Sequence, residues 1–480
     1  MRMRFFLAAA LAALPLAACK EPETGPVAVS AIGGPPRLVN PNRVALDPPA
    51  GFLLDAVAQG LVRFDASGEI EPALAQRWTV SDDGLRYTFR LARAGWSGGE
   101  RVTAEQVAAR LRAVTSPSSR NPVKPLFGAV DEIVAMTDEV LEISLVSPRP
   151  NFLQLLAQPE LAILHEGEGS GPYRAVRQAD GSMLIAPPRE EDEEEDGAEA
   201  EADLSDPPML LRGESAGRAV ARFALGQADL VLGGRLGDLP LARAAGVPDS
   251  ALAFDPVSGL FGLAFARAEG VFAEREARHA LAMAIDRAGL VSTLRIPGLQ
   301  PRDTLLPAAI PELPQPTAAP WGAAPLADRR AAAARTLAAL AEGRPLTVRV
   351  ALPEGLGYRL LFAHLKRDWA AIGVRAERVG PDAEADLALV DAAAPVNFAS
   401  WYLRRFTCEE SPVCDPAADE MIAAARIAPT ARTRRALLAN ADRLLTDAAP
   451  FIPLAAPIRW SMVSPRLTAF RPNPFGRHPA

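Results

Sequence analysis

Along this chain, short stretches in which apolar and polar residues alternate give way to longer ones in which apolar residues recur every three or four positions. Tyr87, Phe89 and Leu91 alternate with Thr88 and Arg90, the period of a strand with one buried face. This predicts a strand over Arg86–Leu91, joined to a strand at Arg77–Val80 by the turn Ser81-Asp82-Asp83-Gly84. Thr103 then opens a helix, with Gln106 three residues on to complete a capping box. Val107, Leu111 and Val114 follow at helical spacing. A second hairpin is predicted from Ile133–Met136 and Val140–Val146, and Pro148 and Pro150 end it.

Elsewhere the pattern alternates between strand and helix. Val27–Ile32, Arg174–Arg177 and Met183–Ala186 read as strands, and Ala216–Ala224 as a helix leading into a strand at Asp229–Leu232. Phe272–Leu290 reads as one amphipathic helix, with Ala277, Leu281 and Ile285 on the buried stripe and Arg278 off it. The clearest unit runs from Leu346 to Val379. A strand at Leu346–Leu352 precedes a helix with Tyr358, Leu361, Leu365, Trp369 and Ile372 on one face. Gly373 stops that helix, and a second strand follows at Val374–Val379. Such a unit implies parallel strands with a right-handed crossover. A buried strand at Asp386–Val390, helices at Asp415–Ala425 and Ala431–Ala449, and an apolar run at Phe451–Leu454 complete an α/β pattern.

The 480 residues leave room for two or three domains, and 49% hydrophobic with 23% charged residues is globular composition. The net charge of −7 is concentrated in one place: eleven acidic residues fall between Glu190 and Asp206, flanked by Pro187-Pro188 and Pro207-Pro208. Mutual repulsion and few apolar residues predict a disordered acidic loop over 189–206. It lacks the ligand spacing and central glycine of an EF-hand loop. No basic stripe with interleaved aromatics is present, which argues against a nucleic-acid partner.

At the start, Arg2 and Arg4 precede a short apolar run, Phe5–Leu14, too short to span a bilayer. This reads as an export signal over residues 1–18. Leu16-Ala17-Ala18-Cys19 resembles the bacterial lipobox, which implies acylation of Cys19 and a membrane anchor. In an oxidising compartment the close pair Cys408 and Cys414 reads as a disulfide. The alternative, two ligands of a metal site, has no histidine or further cysteine nearby.

Candidate chemistry is scarce. The four histidines are scattered, and His279 and His364 are expected at helix surfaces. No catalytic or metal-binding motif is found, so no enzyme activity, catalytic residue, metal or cofactor is implied. The glycine-rich stretch Gly167–Gly171 has no P-loop lysine and is read as a loop crossing between lobes.

A series of residues in order narrows the reading: Gly60-Leu61-Val62, Pro72, Leu74-Ala75, Trp78, Val80-Ser81, Asp83-Gly84, Tyr87-Thr88-Phe89, Trp96, Gly99, Thr103-Ala104 and Val107. This run resembles the signature of the family 5 extracellular solute-binding proteins, the dipeptide and oligopeptide receptors of ABC importers. The resemblance implies an α/β, periplasmic-binding-protein-like two-lobed fold (cluster C, type II) with an inserted third subdomain. The expected division is lobe I over 19–45, 166–258 and 445–480, the inserted subdomain over 46–165, and lobe II over 259–444.

The same resemblance directs attention to Asp391-Ala-Ala-Ala-Pro395-Val-Asn397-Phe398, where peptide receptors of the family carry a similar stretch whose first aspartate grips the peptide α-ammonium group. Asp391 matches that aspartate, while Ala394 replaces a second one. The tryptophan segment before it is replaced by Ala388-Leu389-Val390, and the loop Glu354–Gly357 lacks the arginine some dipeptide receptors use. Both departures point away from a simple dipeptide. Candidate ligand contacts are therefore Asp391, Asn397, Trp401, Tyr402 and Arg404, with Arg405 beside them. The implied partners are a peptide-like or otherwise cationic or zwitterionic small solute, an ABC permease with its ATPase subunits, and a membrane reached through the lipid anchor of a monomer in the periplasm. A second reading is an envelope lipoprotein of receptor fold with a sensing or assembly role. Lys20 after Cys19, in place of aspartate, would permit outer-membrane delivery.

Overall fold

The alternation at Arg86–Leu91 becomes an inner strand of a four-stranded antiparallel sheet, ordered Ala75–Val80, Arg86–Leu91, Val140–Leu145 and Val130–Thr137. This is a computed structural model, and it describes residues 25–188, 207–308 and 310–478. The signal segment, Cys19 and the acidic run at 190–206 lie outside the described residues. Tyr87, Phe89, Leu91, Leu141 and Ile143 point into one core, closed by Val107, Leu111 and Val114 of the helix Ala104–Val114. That helix starts as its sequence requires. Thr103 Oγ1 accepts from the Gln106 N–H, and Gln106 Oε1 accepts from the Thr103 N–H at 2.9 Å. Gln106 Oε1 also accepts from Trp96 Nε1 at 3.1 Å, so the cap anchors a buried indole.

A first large sheet has seven strands, in the order Leu252–Asp255, Arg459–Val463, Leu230–Arg235, Val27–Ile32, Met209–Glu214, Met183–Ala186 and Arg174–Arg177. Val27–Ile32 runs parallel to both its neighbours. A second large sheet has five, in the order Val374–Val379, Leu346–Ala351, Leu387–Ala393, Gly259–Phe265 and Phe451–Ala455. The expected parallel unit is here: Leu346–Ala351 pairs with Val374–Val379, and the helix Leu356–Ala370 links them.

The chain passes between the two large sheets at residues 256–258 and again at 456–458. This moves one expected boundary. Phe451–Ala455 pairs with Gly259–Phe265 in the second sheet, so the return to the first falls after Ala455 and not at 445. All five residues of that strand are buried, and its place in the second core explains its unbroken apolar sequence. The helix Pro48–Val57, expected in the inserted subdomain, packs on the first sheet. Its Phe52, Leu53 and Ala56 share a core there with Val29, Ala31 and Leu211. The loop through Gly169 and Gly171 crosses the end of that helix so closely that a Cβ on Gly169 would lie 2.0 Å from the Val57 carbonyl oxygen.

Three further expectations change. Phe272–Leu290 is two helices, Arg275–Met283 and Arg287–Leu294. Asp286 breaks it: its carboxylate caps the second helix at Gly289 N–H, 2.9 Å away, and its own N–H donates to Asp368 at 2.8 Å. Arg278 is buried, because its guanidinium donates to the carbonyls of Phe272, Ala273 and Ala448, the last at a helix end. His364 is buried too, with Nε2 3.2 Å from Asp368. Cys408 and Cys414 are bonded, with Cα atoms 5.0 Å apart.

Asp368 joins helices across the second lobe. It is fully buried and takes bonds from Arg330 at 2.7 Å and Arg367 at 2.9 Å as well as from Asp286. Burial pushes its pKa up, but the His364 bond, the Asp286 N–H and Arg367 together outweigh burial and hold the carboxyl at about 2, below its ordinary 3.8. A carboxyl lowered in the fold stabilises it above the ordinary value and loses that contribution as pH falls through the folded one. Asp368→Asn should lower the melting temperature at pH 7 by a few degrees, and the gap to the native chain should close as pH drops from about 4 to about 2. Melting curves across that range check the prediction.

Candidate functional site

The two large sheets face each other across a cleft of about 520 Å³. Its first-lobe wall is the strand end Leu232–Arg235 with Arg459–Ser461, and its second-lobe wall is Asp391–Pro395 with Trp401 and Arg405. Residues 157–160 of the smaller unit close a third side. Glycine makes the first wall possible. A Cβ on Gly234 would lie 2.2 Å from the Trp460 ring, which rests on this strand and donates from Nε1 to the Arg235 carbonyl at 2.8 Å.

Asp391 stands in the second sheet at this cleft, and both its oxygens are engaged. Arg459, from the first sheet, donates from Nη1 to Oδ1 at 2.7 Å and from Nη2 to the Asp391 carbonyl at 3.3 Å. The Tyr358 hydroxyl donates to Oδ2 at 3.1 Å. Burial, and then the adjacent carboxylate, hold that phenol protonated well above its ordinary range. Removing either charge would strand the other in a poorly solvated place.

The other sequence candidates separate. Trp401 lines the cleft and meets Tyr402 edge-on, with ring centroids 4.9 Å apart. Tyr402 itself is fully buried, and its hydroxyl donates to Asn397 Oδ1 at 3.3 Å. Tyr402 and Asn397 thus brace the second-lobe wall from behind, since the apolar core of Leu260, Phe406 and Phe451 claims the tyrosine. Arg404 is half-buried behind the wall, where its charge meets Glu410 and Glu409. Arg405, the next residue, reaches the cleft.

Sequence reasoning missed a fourth wall, residues 475–478. Buried Asn473 starts it, donating from its N–H to Asp255 at 3.0 Å and accepting from the Phe475 N–H at 3.1 Å. Phe475 stacks on Phe64 at 4.3 Å, Arg477 pairs with Glu160 at 2.7 Å, and His478 Nε2 lies 3.1 Å from Asp255. Arg459, Arg235 and Gln158 were also missed. None of these sits in a motif, and only the topology brings them together.

Residues 69–204 match the family model described as bacterial extracellular solute-binding proteins, family 5 Middle. Over these residues the chain is similar to the family 5 solute-binding proteins. Among relatives of this family, the probable deoxycholate-binding periplasmic protein YgiS of Escherichia coli is 30% identical over 184 residues, covering 33% of this chain and 34% of that relative. The match therefore spans about a third of the relative's length. Among solved structures of the fold, the murein tripeptide binding protein MppA of Escherichia coli superposes with a TM-score of 0.74 at 19% identity, covering 92% of this chain and 94% of MppA. Haemophilus influenzae OppA in complex with the peptide RPPGFSPFR gives a TM-score of 0.73 at 17% identity, covering 92% of this chain and 95% of OppA.

The Asp391–Arg459 contact should dominate the energetics of the cleft wall. Arg459→Met is expected to cost about 3 kcal/mol of unfolding free energy, and adding Asp391→Asn should recover most of it. Urea unfolding of the single and double variants measures the coupling, and strictly additive losses would show that the two groups act independently.

Proposed function

We propose that this protein captures a small peptide-like solute between its lobes and presents it to the permease and ATPase subunits of an ABC importer. The observation that carries this reading is the cleft itself. It has the volume of a small-molecule site, walls from both large sheets and, among the described residues, two short chain crossings between them. Two lobes joined in this way close by rotation about the crossings and trap what lies between. The family match and the superposition on a tripeptide receptor and a peptide-bound receptor support a solute of this class.

The remaining features agree with an exported receptor. The leader and the lipobox at Cys19 support a receptor tethered by acyl chains to a membrane facing the periplasm. The bonded pair Cys408–Cys414 suits an oxidising compartment. Asp391, Trp401 and Arg405 would line the ligand chamber, with Asn397 and Tyr402 supporting them.

Mass spectrometry of the solute released when the purified protein is denatured tests this function. A single small-solute class in near-stoichiometric amount is expected, and adding it back should reduce the radius of gyration as the lobes close. A protein that releases no solute, and whose melting temperature is unmoved by a library of small peptides, would contradict the reading.

A further inference from the structure

Most charged groups of the cleft already answer one another. Asp391 is held by Arg459, Glu160 by Arg477, and Asp255 by His478. Asp47 accepts from the N–H groups of Gly34 and Ala50, each at 3.0 Å, at the start of the helix Pro48–Val57, where a helix favours negative charge. Asp55 has interactions of its own.

Arg235 and Arg405 differ. Both line the cleft, and neither guanidinium makes a hydrogen bond or ion pair among the described residues. They come from opposite lobes. Arg235 ends the strand Leu230–Arg235, and its charge acts on Asp238, three residues on. Arg405 lies four residues after Trp401 on a short helical segment, so an indole and a guanidinium share one side of the second-lobe wall.

A second set of atoms is also unanswered. Gln158 is 1% exposed, and its Nε2 donates to the Pro395 carbonyl at 2.6 Å, but its Oε1 has no partner. Glu160 is 9% exposed and uses Oε1 for Arg477, leaving Oε2 without a partner. Both residues line the cleft on its third side. Buried acceptors without donors are rare in native proteins and call for an explanation. A ligand that supplies N–H groups is one.

We propose that the cleft holds its solute by a carboxylate set between Arg405 and Arg235, with the solute's N–H groups received at Gln158 and Glu160, and that a free α-ammonium group is not required. The inference rests on the capture function above and names its substrate class: amino acids or short peptides with a free carboxylate and a blocked or acylated amino end. The ammonium grip expected of Asp391 is already filled by Arg459. A solute ammonium seated there would lie beside a fixed guanidinium of the same sign. An anion bound to one guanidinium from each lobe would instead draw the lobes together, because a charge-assisted bond is strongest when both donors reach it.

Isothermal titration of the full chain with matched dipeptides tests this: an N-acetylated acid, the unblocked acid, and the N-acetylated amide. The acetylated acid should bind at least as tightly as the unblocked one, and amidation should weaken binding on the order of tenfold to a hundredfold. Arg405→Gln should cause a loss of the same size, and Arg235→Gln a loss in the same direction. Neither should change the melting temperature of the unliganded protein, since neither guanidinium has a partner to lose. Amides that bind as well as acids, acetylation that abolishes binding, or full affinity in both variants would overturn the proposal. The solute released from purified protein separates the two levels of the argument. A released carboxylate supports the proposal. A released neutral or cationic solute overturns it while leaving capture intact. No released solute and no binding by any dipeptide overturns capture, and the proposal with it.

Discussion

Asp391 and Arg459 lie on strands of different sheets, and their contact fastens the two lobes together at the cleft. A carboxylate and a guanidinium removed from water recover their solvation only through good geometry and further bonds. Here the Tyr358 hydroxyl and the Asp391 carbonyl complete the set. The lobes also touch beside this pair, where the Gly357 N–H donates to the Gly237 carbonyl at 3.0 Å. A Cβ on Gly357 would lie 1.8 Å from the Leu236 carbonyl oxygen, so the first turn of the helix Leu356–Ala370 can approach the first lobe only as glycine. The facing of the lobes thus rests on a buried ion pair, on backbone contacts that tolerate no side chain, and on an apolar core in which Leu236, Leu239 and Trp460 of the first lobe join Tyr358 and Leu361 of the second.

Much of the fold was legible because its elements are local. The alternation at Arg86–Leu91, the capping box at Thr103 and the strand–helix–strand unit from Leu346 to Val379 each follow from neighbouring residues, and each is present. What failed required distant partners. Arg278 looks like a surface residue until the carbonyl of Ala448 is brought to it, and His364 until Asp368 is. The break at Asp286 is likewise tied to Asp368, more than eighty residues away. The late boundary at Ala455 reflects strand pairing, which no local pattern near 445 encodes.

The cleft was legible in outline and not in its chemistry. The resemblance around Asp391 drew attention to residues of the second-lobe side of the cleft, which Trp401 and Arg405 also line. It could not show that Arg459 comes from the other sheet to fill the carboxylate. Nor could it show that residues 473–478 return to lay Phe475 against Phe64 and Arg477 against Glu160. Arg459 and Arg477 thus pair two acids, Asp391 and Glu160, that would otherwise attract a cation. The guanidiniums left for a solute to meet are those of Arg405 and Arg235.

A crystal structure of the protein with its co-purified solute tests this account most directly. The account predicts Asp391 still bonded to Arg459, with a solute carboxylate within hydrogen-bond distance of Arg405. A solute ammonium seated on Asp391, with Arg459 displaced from it, would contradict the account.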